Sequence, residues 1–341
     1  MRSCGPQNEV MQDKHIASAS KAPSKARTAP VRIALGCMGM SGAYGKTDDA
    51  QSAAVIHAAI ERGVTVLDTG DFYGSGHNEL LIGKAIAGHR DEVQLSVKFG
   101  MLRGPDNSVG GIDARPAAVK SFLAYSLVRL GTDYVDVYRP ARLDPAVPIE
   151  DTIGAIADLV KAGYVRSIGL SEVGPETIRR AVKVHPIADL QIEYSIASRD
   201  PEDAIFPVLA ELGIGATLYG VLSRGLLSAS PIGAGDSRAH LPRFTGANRE
   251  ANAKLVAGLQ DLATRWGITP SQLAIGWALG KQPQFVPTLG MRTLQQLDEA
   301  LTAKPLIAEQ LVEIETIAPR GAIAGTRYPA THMTALDSEK R

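Results

Sequence analysis

Cysteine is almost absent from this chain. Cys4 and Cys37 are the only two in 341 residues. They lack the spacing of a metal site and leave no disulfide framework, which points to a reducing compartment. An excess of charge of one sign is missing too. The 36 basic and 36 acidic residues balance and are spread along the chain, so no basic stripe marks a nucleic-acid partner and no charge block marks a tail. No apolar run approaches the ~18 residues needed to span a bilayer, and the N-terminus lacks the apolar core of a secretory signal. A soluble, cytoplasmic protein without membrane or nucleic-acid partners is the expectation. None of the seven histidines has a metal-like partner four residues away, so no metal is expected. Nothing in the sequence sets the oligomeric state.

What is present is a repeating unit of short apolar run and helix. Residues 1–30, rich in Ser, Ala, Lys and Pro and without periodicity, read as a mobile extension. Strands are predicted at 31–40, 64–68, 93–98, 135–138, 165–170, 190–196, 214–219 and 285–289. Helices fall between them, at about 48–62, 78–87, 116–130, 149–162, 175–184 and 202–212. The period breaks at 221–250, a long irregular connection of the kind that usually carries function. Helices at 250–266, 270–279, 293–303 and 307–317 complete the pattern, and the stretch after Gly321 reads as irregular. Gly63, Gly131, Gly163 and Gly213 each stand where a helix stops, as a left-handed cap requires. Thr269-Pro270 has the form of an N-cap followed by N1. Eight buried, non-alternating strands, each followed by a helix, predict an α/β fold, a single (β/α)8 barrel. A doubly wound sheet is the competing architecture. The absence of Gly-x-Gly-x-x-Gly after any strand, and of a phosphate-binding P-loop, counts against it.

In such a barrel the residues just beyond each strand converge on one rim. Val64–Leu67 runs into Asp68, and Tyr73 follows on the next loop; Val93–Val97 runs into Lys98. We read Asp68, Tyr73 and Lys98 as one cluster. A neighbouring ammonium is expected to lower the pKa of the phenol and make it a proton donor to a carbonyl oxygen, with Asp68 holding the lysine charged. A structural Asp–Lys ion pair beside a core tyrosine is the bland alternative. No thiol nucleophile or metal cluster is evident, so reduction by a nicotinamide fits. The glycines of Gly36-Cys37-Met38-Gly39 would allow a ligand close to the backbone, although an ordinary turn explains them equally.

Several motifs together resemble the aldo-keto reductase superfamily: Val66-Leu67-Asp68-Thr69-Gly70-Asp71-Phe72-Tyr73-Gly74, Lys98, Ile168-Gly169-Leu170-Ser171, Gln191-Ile192-Glu193-Tyr194 and Gly290-Met291-Arg292. The likeness runs from about residue 31 to 328, with 329–341 as a tail. It is nearest to bacterial pyridoxal-reductase-like and keto-mycotoxin-reducing members. The resemblance implies an NADP(H)-dependent reductase of a small carbonyl compound. Tyr73 would be the proton donor, with Lys98 and Asp68 its catalytic partners. It further implies that Ser171 and Gln191 hold the carboxamide and that Tyr219 stacks on the nicotinamide. Gly36, Met38, Asp68, Arg224, Gly290, Arg292 and Gln296 complete the cofactor site, Arg292 favouring the 2′-phosphate. Arg224 and Arg243 are candidates to cover the pyrophosphate.

The sequence departs from the family at three places. Ala141 occupies the position of a usual histidine, with Arg142 beside it. Glu172 replaces an asparagine after Ser171. Ala300 replaces an asparagine after Glu299. Two other readings stay open: a slow-turnover cofactor-sensing module, motivated by Ala141, and an aldolase-like barrel using Lys98 as a Schiff base.

Overall fold

The computed structural model describes residues 32–106, 108–228, 230–233 and 236–340. The expected extension at 1–30 lies outside them. Ten strands occur in chain order: β1 (Ala34–Gly36), β2 (Val66–Gly70), β3 (Gln94–Phe99), β4 (Met101–Arg103), β5 (Val109–Ile112), β6 (Val135–Pro140), β7 (Val165–Ser171), β8 (Ile187–Glu193), β9 (Gly215–Tyr219) and β10 (Val286–Gly290). The helices are α1 (Asp49–Glu61), α2 (His77–Ala85), α3 (Pro116–Leu130), α4 (Ile149–Lys161), α5 (Pro175–Val182), α6 (Ile205–Leu212), α7 (Gly246–Arg265), α8 (Pro270–Lys281), α9 (Leu294–Thr302), α10 (Ala308–Ile317) and α11 (Ala330–Met333).

Eight strands close into a parallel barrel in the order β1-β10-β9-β8-β7-β6-β3-β2. The expected barrel is therefore the observed one. Its helices form for local reasons. In α4 the buried Ile149, Thr152, Ile153, Ile156 and Leu159 recur at three and four residues, a single stripe facing the sheet. Thr269 and Gln272 make a reciprocal capping box at the start of α8, and Gly131 ends α3 in the left-handed region at φ 63°.

The sequence reading differs from the structure in several elements, among them the short helix α11, which falls in the stretch after Gly321 that reads as irregular. The glycine-rich loop after β3 contains an antiparallel hairpin, β4 with β5, whose pairing shifts register between Leu102 and Arg103. Its Gly110-Gly111 pair hides it from a strand pattern. The first strand is only three residues long; a single turn at Met38–Ser41 replaces its second half.

Register places the chemistry. Asp68 pairs with Ser96 and Gly70 with Lys98 across β2 and β3, and Lys98 pairs with Arg139 on β6. Ser171 pairs with Gln191, Glu193 with Tyr219, and Gly36 with Gly290. Asp68 and Ser96 sit mid-strand, and the others lie toward the C-terminal ends of their strands.

Candidate active site

Lys98 and Asp68 are buried, and the Lys98 ammonium donates to Asp68 Oδ2 at 2.6 Å. The other carboxylate oxygen accepts from Ser96 Oγ at 2.9 Å and from Gln191 Nε2 at 2.8 Å. The Lys98 ammonium lies 5.1 Å from the centroid of the Tyr73 ring. The three residues joined by sequence reasoning are thus one cluster at the barrel mouth. Burial pulls the Lys98 pKa below its ordinary range, and Asp68 works against that pull.

The tyrosine behaves differently from the expectation. Burial, then the Asp68 carboxylate and the Tyr44 phenol, hold Tyr73 well above the usual range, while Arg142 pulls it down. Burial is the main cause, and the Lys98 ammonium, already matched by Asp68, does not offset it. Tyr73 therefore keeps its proton, the state that a donor needs.

Arg139, near the end of β6, supports this cluster. Arg139 is fully buried inside the barrel. It donates to Ser96 Oγ at 3.0 Å and to Asp189 Oδ2 at 3.1 Å, so it supports Asp68 through Ser96. Gly169 makes room for it: a Cβ there would stand 3.0 Å from the guanidinium carbon.

The mouth is crossed by the chain's last segment. Buried Arg327 grips Glu172, donating from Nη1 at 2.9 Å and Nη2 at 2.6 Å, and also reaches Glu339 at 2.6 Å. Glu172 further accepts from Tyr219 Oη at 2.8 Å and from Ser338 Oγ at 2.6 Å. Asp337 binds the first turn of α5, through Gly174 N at 2.9 Å and Thr177 Oγ1 at 2.7 Å. Tyr328 sits under the Arg224 guanidinium, 4.3 Å from it to the ring centroid. Burial opposes the charge on Glu172, yet Arg327, Arg142 and Ser338 pull its pKa down to about 2. Ser75, Glu172, Ser223 and Arg224 are the non-glycine residues with positive φ among the described residues. All four follow the C-terminal ends of barrel strands, where strain of ~1–3 kcal/mol each commonly marks a functional site.

With this geometry in view, the likeness to known proteins is specific. Residues 32–319 match the model of the Aldo/keto reductase family. The chain belongs to that family. A probable aldo-keto reductase 1 from Glycine max is 40% identical over 309 residues, 87% of this chain and 88% of that protein. The glycerol dehydrogenase of Gluconobacter oxydans superposes with a TM-score of 0.77 at 26% identity, covering 86% of this chain and 93% of that one. An aldo/keto reductase from Klebsiella pneumoniae, solved in complex with NADP and acetate, has a TM-score of 0.68 at 24% identity and covers 87% and 94%. At that identity the likeness carries the fold.

The reductase fold brings some cofactor candidates together and not others. Ser171 is buried and its Oγ has no hydrogen-bond partner among the described residues, an orphan that a bound amide would satisfy. Gln191 is adjacent by register, but its amide is engaged with Asp68. Tyr219 is half-buried at the mouth, with its hydroxyl on Glu172. Gly36, Met38 and Gly290 lie together where β1 and β10 end. Arg292 lines a groove of about 250 Å³ with Lys46, Thr47, Asp48, Gln51, Ser52 and Thr293; Lys46 was missed because nothing in its sequence neighbourhood marks it. Gln296 instead accepts from Arg292 N at 2.7 Å and serves the start of α9. Arg224 is occupied by the tail, donating to Arg327 O at 2.7 Å. Arg243 is buried and ties Ser198, Ser223 and Ala197 together, at 3.0, 3.2 and 2.8 Å; it is a brace between loops. His77 is held by Ser41 and Asp49 at 2.9 and 3.1 Å. No described helix is long and apolar enough to cross a membrane.

Proposed function

We propose that this protein is an NADPH-dependent carbonyl reductase in which Tyr73 protonates the oxygen of an aldehyde or ketone as it becomes an alcohol. Membership of the aldo/keto reductase family makes oxidoreduction of a carbonyl–alcohol pair the reaction class. The observation that carries the reading is the buried Lys98–Asp68 pair set against the Tyr73 ring. Reduced nicotinamide, when bound, supplies the two electrons and the hydrogen added to the carbonyl carbon.

The protein's part is proton delivery, orientation and charge. Tyr73 holds its proton at Oη because burial disfavours the phenolate. As negative charge grows on the substrate oxygen, the proton passes to it. The phenolate left behind is stabilised by the fixed ammonium of Lys98, which Asp68, Ser96 and Gln191 keep in place. Ser171 would hold the carboxamide, Tyr219 would pack on the nicotinamide ring, and Arg292 with Lys46 would take the 2′-phosphate, which favours NADPH over NADH. The same reading keeps the chain near bacterial pyridoxal-reductase-like and keto-mycotoxin-reducing relatives, on sequence motifs alone.

The test is consumption of NADPH with a panel of aldehydes. Tyr73→Phe should lower kcat by about 10²–10⁴-fold while NADPH still quenches protein fluorescence with similar affinity. A variant as active as the parent ends the reading.

The alternative, a slow-turnover NADP(H)-binding sensor, is favoured by one observation: buried Ala141 offers no side-chain donor where relatives carry histidine. Protein that purifies with non-exchanging cofactor and negligible turnover would support it. The Schiff-base reading is disfavoured by the 2.6 Å contact that holds the Lys98 proton toward Asp68. Borohydride should trap no carbonyl compound on Lys98.

A further inference from the structure

Among the described residues, Arg142 and Arg292 are the two half-buried arginines that have no carboxylate within ion-pair reach. The other arginines around the mouth are matched: Arg139 to Asp189 at 3.0 Å, Arg238 to Asp236 at 2.5 Å, Arg327 to Glu172 at 2.6 Å. Arg243 and Arg224 share Glu193, at 3.5 and 3.6 Å. Arg142 donates only to neutral oxygens, Ala141 O at 2.7 Å and Tyr328 Oη at 3.3 Å. Three of the five guanidinium N–H groups thus have no acceptor among the described residues.

The acid whose charge bears most on Arg142 is Glu172, and that carboxylate is spent. Its Oε1 accepts from Arg327, Tyr219 and Glu193 N, and its Oε2 from Arg327 and Ser338. Turning to Arg142 would unfasten the tail. Arg142 follows the end of β6, the strand that pairs with β3 and its Lys98, and its charge bears on the Tyr73 phenol. An unpaired cation so enclosed is costly to keep, and a guanidinium presents a fork that fits a carboxylate. One unmatched positive charge answers one negative charge, and so a monoanion better than a phosphate dianion.

We propose that Arg142 binds a carboxylate on the substrate, so that this chain prefers carbonyl compounds that also carry a carboxylic acid. The inference rests on the reductase reading and names its substrate class. Tyr328, hydrogen-bonded to both Arg142 and Tyr219 Oη at 3.3 Å each, would close the far side of that acid.

The experiment compares 4-carboxybenzaldehyde with its methyl ester, on the parent protein with NADPH and on Arg142→Gln and Arg142→Lys. The parent should favour the acid by roughly 10–150-fold in kcat/KM, the range of a charge-assisted hydrogen bond, mainly through KM. The preference should fall close to one in Arg142→Gln and return in part in Arg142→Lys. Calorimetry gives a readout without turnover: benzoate should bind the parent more tightly than benzamide, and the difference should vanish in Arg142→Gln. If Arg142→Gln does not fold, the parent's acid-to-ester ratio and its fall with added salt decide. A parent that treats acid and ester alike, or a preference that survives Arg142→Gln, overturns the proposal. If neither aldehyde is reduced, the reductase reading fails, and the benzoate–benzamide comparison alone judges Arg142.

Discussion

Asp71 lies two residues before Tyr73 and is buried. Among the described residues its Oδ1 has no hydrogen-bond partner, and Oδ2 accepts weakly from Gly100 N at 3.5 Å. Burial first, and then the charge of Glu79, push its pKa to about 7. Between the ordinary 3.8 and about 7 the folded protein holds a proton that the unfolded chain has released. Stability from this group must therefore fall as pH rises through that window. Asp71→Asn should be more stable than the parent at pH 8, by at most about 4 kcal/mol in unfolding free energy, and the gap should narrow markedly by pH 5. Denaturant titrations at the two pH values measure it; parallel curves would refute the burial argument. Single residues were unevenly legible. Asp68, Tyr73 and Lys98 could be read because charge ends an apolar strand. The direction of the Tyr73 shift could not, because it depends on which partner already holds the lysine. The inward turn of Arg139 was hidden too, because only the space above Gly169 shows it.

At the scale of elements, the last segment behaves as a strap whose fastening is the Glu172–Arg327 pair. The sequence hides it. The two residues are 155 positions apart, and the stretch around Arg327 has neither helical nor strand periodicity. The departure at Glu172 was visible, but its meaning needed its partner. Arg327→Ala would leave Glu172 and Glu193 buried beside each other without their shared cation, at a cost of about 3–5 kcal/mol. Adding Glu172→Gln should recover part of that loss, which chemical denaturation of the two variants will show. Acid should act the same way. The folded pKa of Glu172 lies below its ordinary value, so its contribution is complete above pH 4.5 and is lost as pH falls toward about 2. The shift corresponds to about 3 kcal/mol. Glu172→Gln should flatten that part of the stability curve. The hairpin β4–β5 was hidden differently, because strands of three and four residues carry too little pattern to stand out from a loop.

Across the whole molecule, the barrel was legible because eight apolar runs return at a regular interval and each must be covered by a helix. The line of unmatched charge across its mouth was not, because it joins the ends of β6 and β10, 150 residues apart in the chain. Arg142 stands at one end and Arg292 at the other, and among the described residues each lacks a carboxylate within ion-pair reach. At the Arg292 end the guanidinium donates to Tyr44 O at 3.1 Å and lines the groove with Lys46. A ligand with a terminal phosphate would supply the missing charge there, and one without it would not. Arg292→Ala should therefore weaken NADPH binding far more than NADH binding, so that the ratio of the two affinities drops by roughly 10–150-fold, the range for hydrogen bonds to charged groups. Lys46→Ala should lower the ratio less, because its exposed ammonium is screened by water and salt. Fluorescence titration of both cofactors against the three proteins gives the ratios directly. Equal losses for NADPH and NADH would mean that Arg292 shapes the groove instead of reading the phosphate.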